Sequence, residues 1–213
     1  MRHGVKVSLL ALGMASLLVA GACAPAGGRA RLQGRTFIGG SHENVEETRT
    51  LVYLIDGSAS TMRLMGTVKQ ELKRSVAELG EEKQFQVIFY GASTTEIPGP
   101  EPVPATEKNK EAASRLIDEY LPTGGESRPD AAFVRAFACR PTVFYFLPGG
   151  RVSPDLIERV NRLNVGKRTC VHTVRVLERR GDDDVLRKMA ADKGGNYKFV
   201  TEDNLDEWVR ERR

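Results

Sequence analysis

One short stretch of the chain places oxygen-bearing side chains where they could hold a ligand. Asp56, Ser58 and Ser60 alternate in the run Asp56-Gly57-Ser58-Ala59-Ser60, directly after the apolar run Leu51-Val52-Tyr53-Leu54-Ile55. A carboxylate and two hydroxyls facing one point form an oxygen-only site of the kind that suits Mg²⁺, Mn²⁺ or Ca²⁺. Asp, Ser and Gly also make ordinary turns, so the place of this run in the fold has to decide between the two. Residues for other chemistry are sparse. The stretch around Ser58 lacks the second Gly of a nucleophile elbow, there is no GxGxxG, and Gly166-Lys167-Arg168 has neither the upstream Gly nor the following Ser or Thr of a phosphate loop. His172 sits among Cys170, Val171, Thr173 and Val174 and reads as a structural histidine. An Asp56-centred phosphotransfer site with Mg²⁺ is the weakest alternative, because Ser58 stands where such enzymes use a second Asp. The expectation is a binding chain and not an enzyme.

The elements that would position Asp56 follow from the apolar pattern. Leu51–Ile55, ending at Asp56, is the signature of a strand buried on both faces. Leu64, Val68, Leu72, Val76 and Leu79 recur at helical spacing, so 62–79 is expected to be an amphipathic helix closed by Gly80. Residues 85–90 read as a second strand. Pro98, Pro100, Pro102 and Pro104 make 92–104 irregular or an edge. Helices are expected over 106–121, with Leu116, Ile117, Tyr120 and Leu121 inward, and over 129–139. A strand over 142–147 follows, then a helix opened by Ser153-Pro154-Asp155, a strand over 170–176, a helix over 182–193, a strand over 195–200 and a closing helix over 203–212. Asp182-Asp183-Asp184 reads as an acidic helix start that complements the dipole, and Trp208 with Val209 as an anchor for the closing helix. Five strands alternating with helices give an α/β fold, a doubly wound and mostly parallel sheet with helices on both faces. Such sheets bind ligands at the carboxyl ends of their strands, which is where Asp56 falls.

The first 22 residues carry Arg2 and Lys6, an apolar stretch from Val7 to Ala20 and the small residues Gly21-Ala22 before Cys23. This is the layout of a secretory signal, and its apolar core of about 14 residues falls short of the roughly 20 that cross a bilayer. Ala20-Gly21-Ala22-Cys23 resembles a bacterial lipoprotein box, with Ala20 where Leu is usual, so Cys23 is the candidate lipidation site. Simple cleavage after Ala22 is the competitor. Residues 23–35 read as a tether and 36–213 as a single domain with its core over 50–201. The expected location is therefore outside the cytoplasm, as an envelope lipoprotein held at the membrane or as a periplasmic or secreted chain. There an even pair, Cys139 and Cys170, permits a disulfide; two buried thiols are the alternative. The 213 residues contain 40% hydrophobic and 28% charged side chains, a globular balance. The formal charge of +4 includes Arg2 and Lys6, and no basic face with interleaved aromatics is visible, so a nucleic-acid partner is not expected.

LVYLIDGSASTM, the helix after it, QFQVIFYG, GGESRPDAA and TVFYFLPGG together resemble a von Willebrand factor type A (VWA) domain over roughly residues 50–201, in the style of small bacterial members. The resemblance implies that Asp56, Ser58 and Ser60 ligate a divalent cation, which in turn offers an open position to a carboxylate of a protein partner. The family also uses a Thr after a Gly-Gly pair and an Asp after the next strand. Here Glu126 and Ser127 follow Gly124-Gly125, Thr123 precedes the pair out of register, and Gly149 stands where the Asp is expected. Two readings stay open. Either Glu126 supplies the second charge of an altered cation site, or the site has lost its metal, a cation such as Arg128 or Arg151 neutralises Asp56, and the domain is a metal-free scaffold for protein contacts.

Overall fold

The computed structural model describes residues 49–124, 127 and 129–201, without the side chain of Lys167. The leader, the tether with Cys23, the short segment at 36–40, Glu126, Arg128 and the closing helix with Trp208 lie outside the described residues.

The central strand is β1 (Thr50–Asp56), whose residues from Leu51 to Asp56 are all buried. It lies between two parallel neighbours, β2 (Gln84–Tyr90) and β5 (Val143–Leu147), and the sheet continues in parallel through β6 (Cys170–Val176) to β7 (Tyr197–Val200). On the other side, β3 (Thr94–Ile97) and β4 (Val103–Pro104) both run antiparallel to β2. The proline-rich stretch therefore does form an edge, one that Pro can occupy because it has no further partner to donate to. The strand order β3-β2-β1-β5-β6-β7 reverses direction at β1, so the crossovers leave β1 on opposite faces.

Alternation along β1 divides the interior in two. Leu51, Tyr53 and Ile55 meet α1 (Met65–Ala77) through Val68, Leu72 and Val76, and α2 (Glu107–Glu119) through Ala113 and Ile117. Val52 and Leu54 face the other layer: α3 (Pro129–Ala138) with Phe133 and Phe137, α4 (Asp155–Leu163) with Leu156 and Val160, and α5 (Asp183–Asp192) with Leu186 and Met189. Each such side chain contributes about 1.5–3 kcal/mol by leaving water, and a strand buried on both sides must be apolar nearly throughout. Among the described residues no helix is long and apolar enough to cross a membrane.

Three expectations need correction. The helix expected from residue 62 begins as a 3₁₀ segment, Ala59–Leu64, and becomes α-helical at Met65. Leu116 and Leu121 are not inward: they are 38% and 76% exposed, because α2 ends at Glu119 and Tyr120 turns into extended backbone (ψ 132°), which breaks the helical period before Leu121. Cys139 and Cys170 are free thiols. Cys139 packs in the α3 layer and Cys170 in the α1 layer, so the sheet itself separates them. Cys139 donates to Gln86 Oε1 at 2.7 Å, and burial raises its pKa to about 11.

Candidate cation site

Asp56 is the last residue of β1 and only 2% exposed. Its backbone ends the ladder opposite Tyr90, and the loop after it is held by side chains. Thr61 Oγ1 donates to Asp56 O at 2.9 Å and shares its proton with Ser58 O at 2.8 Å, so the chain curls directly into the 3₁₀ turn. Gly57 has to be glycine here. Its N–H bonds Tyr90 O at 2.7 Å, its carbonyl accepts from Tyr120 Oη at 3.0 Å, and a Cβ would sit 1.9 Å from that phenol oxygen.

The curl turns the alternate side chains to one side. Asp56 Oδ1 accepts from Ser58 N–H at 2.9 Å, and the Ser58 and Ser60 hydroxyls are 2.8 Å apart. Two segments distant in sequence complete the surroundings of Oδ2. Gly149 N–H donates to it at 3.0 Å from the loop after β5, and Ser127 Oγ donates at 3.5 Å from the loop before α3. Of the hydroxyls considered from sequence, it is thus Ser127 that reaches Asp56. Thr123 instead pairs its backbone with the Gly57–Ser58 segment, and its Oγ1 lies within 2.6 Å of where a Cβ on Gly91 would be.

Gly149 does more than leave out a carboxylate. A Cβ there would lie 2.3 Å from Thr61 Cγ2, 2.9 Å from Ser60 Oγ and 3.2 Å from Asp56 Cγ. The space in front of Gly149 is therefore bordered by the acidic group and one of the hydroxyls, and the loop comes too close for any larger residue without a shift. Among the described residues no Lys, Arg or His lies within ion-pair distance of Asp56, Arg151 included. Its described donors, the N–H groups of Ser58 and Gly149 and the Ser127 hydroxyl, are neutral.

Two participants escaped sequence reasoning. Tyr90 ends β2 in register with Asp56, and its phenol pKa is pushed well up, first by burial and then by the Asp56 charge. Arg175 is 1% exposed in β6 and donates to Gly150 O at 2.7 Å, Asp182 Oδ2 at 2.8 Å and Asp183 Oδ1 at 3.4 Å. The signal for Tyr90 was strand register. For Arg175 it was a guanidinium in an apolar strand, which demands buried acceptors nearby. The acidic start of α5 consequently serves Arg175 as well as the helix dipole, and Asp182 makes no side-chain cap to its own helix. His172 is structural: Tyr145 stacks on its ring, Nδ1 accepts from Asn196 N–H, and burial lowers its pKa to about 4.

A buried carboxylate with neutral donors, three serine hydroxyls near it and a cleft that reaches Asp56 and Ser127 fits a hard divalent cation through oxygen donors. Among the described residues there is no cluster of three or more His, Cys, Asp or Glu, so of the described groups one carboxylate and the hydroxyls would hold the ion.

An open, mostly parallel α/β sheet with this oxygen site beyond its central strand defines the class. The family model of the von Willebrand factor type A domain matches residues 49–199, and the chain belongs to that family. Similar solved structures include a von Willebrand factor type A protein from Catenulispora acidiphila (21% identity, TM-score 0.63, covering 78% of this chain and 42% of that one). Proximal thread matrix protein 1 from the mussel byssus, solved with a zinc-occupied MIDAS motif, matches at 14% identity and TM-score 0.55, covering 77% of this chain and 46% of that one. The human COPII-coat protein Sec24c matches at 12% identity and TM-score 0.53, covering 78% and 32%. These likenesses show the fold, and this chain spans less than half the length of each. No curated protein matches it at a significant level.

Proposed function

We propose that the chain is a protein-binding module that presents the carboxyl ends of its strands to a partner and uses a divalent cation there. Asp56, Ser58 and Ser60 would hold the ion, with Ser127 beside them and Glu126, outside the described residues, as the candidate second charge. The ion would supply a Lewis-acidic contact for an oxygen ligand of the partner. The chain's own part is to hold Asp56 between the N–H groups of Ser58 and Gly149 and to keep two hydroxyls together. The observation that carries this reading is the convergence of a 2% exposed carboxylate with three serine hydroxyls at the end of the central strand. The zinc in the mussel protein's motif supports it by analogy of fold. Nothing in the chemistry of the site calls for an enzyme.

Calorimetric titration with Mg²⁺, Mn²⁺ and Ca²⁺ tests the proposal. Heat that disappears in Asp56→Asn is expected; no heat with any of the three ions overturns the cation role and leaves a metal-free scaffold. The leader and Cys23 further support an exported chain, anchored at the membrane by acylation. Mass spectrometry of the mature N-terminus should find a lipid-modified Cys23, and an unmodified terminus would refute the anchor.

A further inference from the structure

Two clefts meet at the Pro148-Gly149-Gly150 turn. One, of about 90 Å³, reaches from Ser60 and Gly149 to Arg63 and Arg180. The other, of about 400 Å³, starts at Asp56 and Ser127 and runs along α4 past Arg151, Arg159 and Arg162. The acidic groups in them are largely committed: Asp130 to Arg159 at 2.9 Å, Glu178 to Arg180 at 3.0 Å, and Asp56 to its N–H donors; Asp155 sits in the first turn of α4, where the dipole favours it. Arg63 and Arg151 are different. Both are exposed, and among the described residues neither guanidinium makes an ion pair or a hydrogen bond. Arg63 lines the cleft that holds Ser60, Arg151 lines the cleft that holds Asp56 and Ser127, and the turn lies between the two.

We infer that Arg63 and Arg151 flank a groove that selects a protein segment carrying several carboxylates, one placed over the site and its neighbours paired with the two arginines. Charge complementarity supports this occupant: the uncommitted side chains on either side of the site are guanidinium forks, which match carboxylates in geometry as well as sign. A cationic segment would meet like charge at both ends. The inference rests on the protein-binding reading above; the pairs on the two arginines do not need the cation, whereas the carboxylate seated over Asp56 does, because like charges repel there without it.

The test is binding of a hexaglutamate peptide to the full chain, followed by fluorescence anisotropy in EDTA and in Mg²⁺, with hexaglutamine as the neutral comparison. Hexaglutamate should bind and hexaglutamine should not, and the affinity should fall as salt rises. The double variant Arg63→Ala/Arg151→Ala should bind about tenfold more weakly, as the loss of two exposed ion pairs implies, with the same thermal melt and the same heat of cation binding. Lys108→Ala/Arg115→Ala, which removes two positive charges from α2, should bind as the parent does. Equal loss in that variant would mean attraction by net charge and overturn the groove, as would undiminished binding by the Arg63/Arg151 double variant or no binding by the parent. Binding in EDTA that depends on Arg63 and Arg151, with no heat from any cation, would sink the cation role and leave the groove standing. Cation heat with no hexaglutamate binding would do the reverse.

Discussion

Two sets of carboxylates at the same end of the sheet are treated in opposite ways. Asp182 and Asp183 are consumed by structure: Arg175 bonds both, and Arg179 adds a contact to Asp183 at 3.2 Å. Asp56, as buried as any of them, has two N–H groups and a distant hydroxyl among the described residues. The first arrangement closes its charges against a buried guanidinium, although Asp182 Oδ1 has no hydrogen-bond partner among the described residues. The second orients a charge without cancelling it, which is what a group awaiting a ligand requires. Burial alone does not separate these cases; the identity of the donor does.

The sharpest way to break the comparison is at Arg175. Arg175→Met leaves Asp182 and Asp183 without their buried partner and frees the Gly150 carbonyl, so urea denaturation should show a loss of about 3–5 kcal/mol. A loss under 1 kcal/mol would mean that these carboxylates are not structural after all. Asp56→Ala comes next. It strands the N–H groups of Ser58 and Gly149, at about 1–3 kcal/mol for each that stays unhydrated. A cleft of about 400 Å³ reaches Asp56 and lets water replace the carboxylate, so the substitution should be milder than Arg175→Met in denaturation while abolishing cation heat. If it unfolds the chain more readily than Arg175→Met, Asp56 belongs with the structural charges.

Gly149→Ala probes the close approach of the Gly149 loop to the Asp56 site. Its Cβ would enter contacts of 2.3 Å with Thr61 and 2.9 Å with Ser60, and overpacking of this kind costs about 1–3 kcal/mol. Cation affinity should fall with it, and Gly149→Asp should fail to improve binding. Ser127→Ala should do least. Its 3.5 Å bond is long, so a stability change below about 1 kcal/mol is expected in thermal melts, with weaker cation heat as the readout of its place beside Asp56.

Much of this architecture was readable from the amino acids. An unbroken apolar run such as Leu51–Ile55 has few other uses than a doubly buried strand, and 170–176 matched its expected bounds because the charged runs Lys167-Arg168 and Glu178-Arg179-Arg180 interrupt the apolar pattern on either side. Periodicity failed where geometry changed within one apolar stretch. The 3₁₀ turn at 59–64 depends on the Thr61 hydroxyl reaching back to two carbonyls, and Leu121 lies past a turn that no spacing rule marks. Asp56, Ser58 and Ser60 were legible because they are local. Ser127, Gly149 and Arg175 are contributed by chain ends brought together only by the strand order, so their roles appear only once β5 and β6 are placed beside β1.

The glycine pair after β5 also works as a strut. Gly149 hands its amide hydrogen to Asp56 while Gly150, one peptide further on, hands its oxygen to Arg175, whose other contacts hold the opening turn of α5. Asp56 and Arg175 are thereby joined through a single Gly-Gly peptide, and through Arg175 the carboxylate is tied to the start of a different helix.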